Sequence, residues 1–191
     1  MRIIGGEASG RSIPSPRGRQ VRPTPDRVRE ALFSILHPLE GFHFLDLYAG
    51  TGSVGLEALS RGAGRVVFIE KNPGTTAAIK TTVEKLGFGS RAAVLGMDVK
   101  SGISLLSREQ ASFHVIFADP PYERNLITGT LASCERAGLM APDGLMIIQR
   151  SRREPIDAPS SISALHLFQE RHYGDTVVSF LKFHHEGALT A

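Results

Sequence analysis

From residue 43 onward, short apolar runs alternate with segments of helical periodicity, and this alternation constrains the fold more than any other feature. The apolar runs span 43–48, 65–70, 92–96, 113–118 and 144–149. Helices are expected between them over 53–60, 75–86, 100–107 and 126–137, with Gly62, Gly87 and Gly138 near their ends. Strands connected in this way lie parallel in a sheet covered by helices on both faces. The end of the chain departs from the pattern. Runs 164–172 and 176–184 are joined only by Tyr173-Gly174-Asp175, which is too short for anything but an antiparallel hairpin. The expected architecture is an α/β three-layer sandwich on a seven-stranded, mostly parallel sheet with one reversed strand near an edge.

The first 23 residues are different, rich in Gly, Pro, Ser and Arg. Arg2-Ile3-Ile4 and Arg11-Ser12-Ile13 suggest two short strands around Gly5-Gly6 and Gly10. A helix follows, with Thr24 expected as N-cap, Pro25 at the first helical position, and Val28, Ala31, Leu32, Ile35 and Leu36 on one face. Residues 1–29 carry seven arginines against two acids, a net +5, whereas the remaining 162 residues sum to −2. Such an arm suits a polyanion, with Arg2, Arg11, Arg17, Arg19, Arg22, Arg27 and Arg29 as candidate contacts, of which Arg27 and Arg29 can instead pack beside the helix or approach the cofactor. A solvated tail is the other reading of the same charge. Residues 1–23 are thus expected as a basic extension, 24–186 as the main domain and 187–191 as a frayed tail. No apolar run approaches a membrane span, and the N-terminus lacks a signal-peptide core, so a cytoplasmic protein is expected. The single cysteine, Cys134, excludes an internal disulfide and a multi-cysteine zinc site. His184-His185 has no carboxylate or cysteine at ligand spacing, and no metal is expected.

Gly50-Thr51-Gly52-Ser53-Val54-Gly55 satisfies G-x-G-x-x-G between the first strand and a helix. Twenty residues after Gly50, Glu70 ends the second strand, where a carboxylate can accept both hydroxyls of a ribose. Together they indicate an adenosine-containing cofactor. Asp46 lies inside the strand before the glycines, where it disfavours a pyrophosphate and suits an ammonium group. S-adenosylmethionine (SAM) has that ammonium, a ribose and an adenine. Asp98, after the third strand, can receive the adenine amino group or cap the next helix. A side chain at Gly52 is expected to fill the ligand's space without unfolding the domain.

The fourth strand ends in Asp119-Pro120-Pro121-Tyr122. Two prolines stiffen that turn and remove two N–H donors, leaving acceptors. The exocyclic amine of a nucleobase is a poor nucleophile, because its lone pair is delocalised into the ring. The Asp119 carboxylate and the Pro120 carbonyl can hold its two N–H bonds and redirect the lone pair toward a methyl donor. Tyr122 offers a flat face to a base taken out of its stack.

These residues resemble the RsmD-type methyltransferases, which modify guanine N2 in bacterial small-subunit (16S) ribosomal RNA. The resemblance runs through Met1 to Gly6, Arg22 to Glu30, Leu45 to Gly62, Phe68 to Asn72, the Asp-Pro-Pro-Tyr segment and Tyr173 to Thr176. It implies the class I SAM-dependent methyltransferase (Rossmann-like) fold and rRNA (guanine-N2-)-methyltransferase activity. It places Asp46, Gly50 and Gly52 at the methionine end, Glu70 at the ribose, Asp98 at the adenine and Asp119 to Tyr122 at the target base. Ala49, Lys71, Val99 and Asp119 complete the expected cofactor contacts. The implied partner is 16S ribosomal RNA, naked or within a small-subunit particle, acted on by a monomer. Where relatives often carry Glu at the end of the fifth strand, this chain has Gln149-Arg150, which is expected to bring positive charge near the RNA. Two alternatives remain, an adenine-N6 methyltransferase on DNA or RNA and a SAM-binding, non-catalytic ribosome assembly factor. A hydride-transfer enzyme would leave the Asp-Pro-Pro-Tyr segment without a role.

Overall fold

A computed structural model describes residues 1–14, 24–122, 126–156 and 165–183. Its element order is α1 (Asp26–Ile35), β1 (His43–Leu47), α2 (Ser53–Ser60), β2 (Arg65–Ile69), α3 (Pro73–Lys85), β3 (Ala92–Leu95), α4 (Val99–Arg108), β4 (Phe113–Ala118), α5 (Leu126–Arg136), β5 (Met140–Ser151), β6 (Leu165–Tyr173) and β7 (Thr176–Phe183). The strands form one seven-stranded sheet in the order β3-β2-β1-β4-β5-β7-β6. β1, β2 and β3 pair in parallel, as do β4 and β5. β7 runs antiparallel to both β5 and β6, so the reversed strand stands one place in from the edge. Among the described residues no helix is long and apolar enough to cross a membrane.

The chain gathers into two compact units, Met1–Val99 and Lys100–Ala191. In the first, α2 packs on β1 and β2 and α3 on β3. Every residue of α2 is buried, including Glu57. Gly55 lets that helix approach the sheet, since a Cβ there would overlap the ring of Phe68, itself fully buried. Gly55→Ala is therefore expected to cost about 1–3 kcal/mol through overpacking. The loss should read as a melting temperature lower by several degrees, at ~2–4 °C per kcal/mol for a chain this long. An unchanged melt would show that α2 can lift from Phe68 without penalty.

Residues 1–14 belong to this first unit. Ile3 N donates to Arg11 O at 2.9 Å, Gly10 N to Ile3 O at 2.9 Å and Ile13 N to Met1 O at 2.8 Å. Arg2 and Ser12 form an isolated antiparallel bridge, so the two expected strands shrink to a small hairpin. Ile3, Ala8 and Ile13 are buried. The far end of α2 holds the hairpin. Glu57 Oε2 and Oε1 accept Ile4 N at 2.7 Å and Gly5 N at 2.8 Å, and Oε1 also accepts Arg61 Nε at 2.7 Å. Glu7 N donates to Ser60 O at 2.8 Å, and Ala8 N to Ser60 Oγ at 2.9 Å. Arg91, which also donates to Leu59 O and Ala63 O, pairs with Glu7.

Several boundaries shift for local reasons. α1 begins at Asp26 with Pro25 as N-cap, and Thr24 makes no capping bond. Pro25 is extended (φ −56°, ψ 145°), and its carbonyl receives Val28 N and Arg29 N, so the helix starts one residue later than expected. α3 begins two residues earlier than expected, because Asn72 caps it by accepting Thr75 N at 3.0 Å and Pro73 is preset for the first turn. β5 begins at Met140, ahead of the turn-like Pro142-Asp143-Gly144. Met140 pairs with Phe113 across an irregularity in register that the sequence pattern hides.

Candidate active site

The glycine turn sits at the carboxyl end of β1 in the first unit. Gly50 (φ 55°) and Gly52 (φ 75°) occupy the left-handed region that only glycine enters without strain. Each glycine N–H is already engaged. Gly50 N donates to Glu70 Oε2 at 3.0 Å, Gly52 N to Ala49 O at 2.7 Å, and Gly55 N to Asp46 Oδ2 at 3.0 Å. A pyrophosphate needs such donors pointed at it; here they are turned onto carboxylates and a carbonyl. Asp46, on β1, is buried against the first turn of α2, and Glu70 also accepts Asn72 N at 2.7 Å, tying the glycine turn to the end of β2. The region therefore offers carboxylate oxygens and close backbone, which fits an ammonium and ribose hydroxyls better than phosphates.

Gly52 requires a correction. A Cβ there would lie 3.1 Å from Ile79 Cγ1, on a backbone with φ of 75°. A valine at this position strains the turn as well as crowding the ligand, so Gly52→Val is expected to lower stability besides removing binding. Ala49 is buried, while Lys71 and Asp98 are exposed. Asp98 immediately precedes α4, which begins at Val99, so its position suits a helix cap as well as a ligand contact.

In the second unit, Asp119 follows the last residue of β4, and Tyr122 lies in a turn. Pro120 is buried, Pro121 is exposed, and Asp119 and Tyr122 are half-buried. Gln149 Nε2 donates to Asp119 Oδ2 at 3.0 Å. Gln149 stands where relatives often carry Glu, and this contact gives it a partner in the Asp-Pro-Pro-Tyr turn. The contact follows from the pairing of β4 with β5, which the sequence pattern does not record.

Arg150 also requires correction as a surface charge. It is buried, and its guanidinium donates to Ser179 Oγ at 3.1 Å, Glu170 Oε1 at 2.6 Å and the carbonyls of Ser151 and Glu154. Burial alone would push the Glu170 carboxyl up. The hydrogen bonds from Ser179 and Arg150, with the Arg150 charge and His172, outweigh that and hold it below its ordinary value. A depressed folded-state pKa contributes stability above the unfolded value of about 4.3, lost as pH falls through the folded value. Glu170→Gln should therefore melt below wild type at neutral pH, the gap closing in acid. A gap independent of pH would remove Glu170 from the acid response.

Among the arginines of the N-terminal segment, Arg2, Arg11 and Arg27 are exposed. Arg17, Arg19 and Arg22 lie outside the described residues. Arg29 is not a surface contact. It is wholly buried, and its Nη2 donates to Arg2 O at 2.7 Å and Asp26 Oδ1 at 2.9 Å. Burial lowers its pKa, partly opposed by Asp26 and Glu57. Cys134 is buried and its thiol is pushed up to about 12 by loss of solvation, so it is packing and not a nucleophile. Among the described residues no cluster could hold a metal ion, and His184 and His185 lie outside them.

The family model described as conserved hypothetical protein 95, that of the RsmD-type methyltransferases, matches residues 1–182. The chain belongs to the RsmD family. It is 35% identical over 150 residues to the ribosomal RNA small subunit methyltransferase D of Escherichia coli K12, covering 78% of this chain and 74% of that one. The enzyme of the same name from Haemophilus influenzae is 31% identical over 166 residues, 86% of each chain. A solved hypothetical protein of Thermus thermophilus superposes with a TM-score of 0.81 at 31% identity, covering 94% of this chain and 98% of that one. The family match takes in the glycine turn, the Asp-Pro-Pro-Tyr segment and the N-terminal hairpin.

Proposed function

We propose that this protein transfers a methyl group from SAM to the exocyclic N2 of a guanine in small-subunit (16S) ribosomal RNA. The observation that carries the reading is the Asp119-Pro120-Pro121-Tyr122 turn at the end of β4 in a chain of the RsmD family. Relatives named as small-subunit ribosomal RNA methyltransferases support the RNA class. The carboxylates and engaged glycine N–H groups of the first unit support SAM over a dinucleotide. Asp46, Ala49, Gly50, Gly52, Glu70, Lys71, Asp98 and Val99 are the residues assigned to hold it.

SAM when bound supplies an electrophilic methyl on its sulfonium. The chain's own residues prepare the amine. The Asp119 carboxylate and the Pro120 carbonyl accept its two N–H bonds, which turns the nitrogen lone pair out of conjugation. Tyr122 stacks on the ring. The proton that N2 sheds on becoming methylated passes to Asp119 or to water. Positioning of this kind supplies several kcal/mol of a barrier. Arg2, Arg11 and Arg27, with Arg17, Arg19 and Arg22, are assigned to RNA phosphates.

The test is product analysis. Small-subunit RNA, naked and as particles, is incubated with methyl-labelled SAM and the protein, then digested to nucleosides for mass spectrometry. N2-methylguanosine is expected. N6-methyladenosine would establish the adenine reading instead, and no product from either substrate would overturn catalysis.

A further inference from the structure

Ala118 and Ile148 are register partners on the parallel strands β4 and β5. The next residues are Asp119 and Gln149, so the two stand side by side where β4 ends and β5 runs on to Ser151. Gln149 Nε2 donates to Asp119 Oδ2 at 3.0 Å. Only the amide nitrogen can face an ionised carboxylate, so chemistry alone sets the orientation of the amide. Gln149 is 3% exposed, and its Oε1 is buried with no hydrogen-bond partner among the described residues.

That combination is poor for the fold. Met146, Ile147 and Ile148, which precede Gln149 on β5, are apolar and fully buried. A leucine or methionine at 149 would fill the same space without leaving a carbonyl unpaired. It is well suited to Asp119, because an amide donates one N–H to a carboxylate and adds no charge of its own. Arg150, the next residue, is turned instead to Glu170 and Ser179.

We infer that Gln149 is a positioning residue for methyl transfer. It pins one oxygen of Asp119, fixing the direction in which the carboxylate meets the target amine, and the fold gives up stability to keep it there. A carboxylate has about four acceptor sites, so the bond from Gln149 is compatible with accepting the amine. The inference rests on the reading of Asp119 as the acceptor of that amine.

The experiment compares Gln149→Leu, Gln149→Met and Asp119→Ala, and combines each Gln149 variant with Asp119→Ala, in the full chain at saturating SAM. Both Gln149 variants should lower kcat by about ten-fold or more, the scale of a displaced positioned group. KM for SAM should stay within about two-fold, and melting temperatures should be unchanged or raised by a few degrees. In the Asp119→Ala background the same substitutions should cost nothing further. A merely structural Gln149 would instead lower the melting temperature and reduce the rate equally in both backgrounds. Wild-type kcat in both Gln149 variants, or a marked loss of stability in both, overturns the inference while leaving Asp119 in place. Wild-type kcat in Asp119→Ala removes the reading of Asp119 and Gln149's role with it.

Discussion

Asp119→Ala is expected to lower methyl transfer to ribosomal RNA by on the order of 100-fold or more, the scale for losing a positioned acid–base or electrostatic group. SAM affinity, measured by calorimetry, should change little. Asp119 lies in the second unit, whereas the glycine turn, Asp46 and Glu70 lie in the first and keep their bonds without it. The fold should tolerate the change, because Asp119 is half-buried just beyond β4 and not in the core. The substitution does orphan Gln149 Nε2, so Asp119→Asn, which retains an acceptor oxygen, serves as the control. Near-normal turnover in the alanine variant would remove Asp119 from the chemistry.

Glu57→Ala should be the most damaging change to stability. The carboxylate is fully buried and accepts from Ile4 N, Gly5 N and Arg61 Nε. Its removal leaves two backbone donors and a guanidinium without their acceptor. Breaking a buried charged pair in this way costs about 3–5 kcal/mol, which for a chain this long lowers the melting temperature by on the order of 10 °C. Glu57→Gln keeps one acceptor oxygen and should recover part of the loss. The N-terminal hairpin should respond first, with faster amide exchange at Ile3, Gly5 and Ala8, whose bonds depend on α2 or on the hairpin itself. A melt within about 2 °C of wild type would show that the hairpin is held by its apolar residues alone.

The candidate site residues were unequally legible. The glycine turn, Glu70 and the Asp-Pro-Pro-Tyr segment stand at strand ends. Strand ends can be read from a linear pattern, because a short apolar run followed by Gly or Pro has few other conformations open to it. Glu57 could have been suspected as a lone charge among Leu56, Ala58 and Leu59. Nothing local says what a buried carboxylate binds, and its partners lie 53 and 52 residues away. The arginines misled for a related reason. Charge counts treat them alike, yet Arg29 and Arg150 are buried while Arg2, Arg11 and Arg27 face solvent.

Hydrophobic periodicity and turn chemistry are local, and they were enough to specify the α/β class, the helix α2, the strand β4 and the reversed final hairpin. Long-range pairing is not local. The register that sets Gln149 beside Asp119, the docking of residues 1–14 on α2 and the burial of Arg150 against Glu170 arise only when distant segments compete to satisfy the same buried polar groups. A buried donor or acceptor takes whichever partner the packed chain brings within about 3 Å, and no spacing in the sequence records which one that will be.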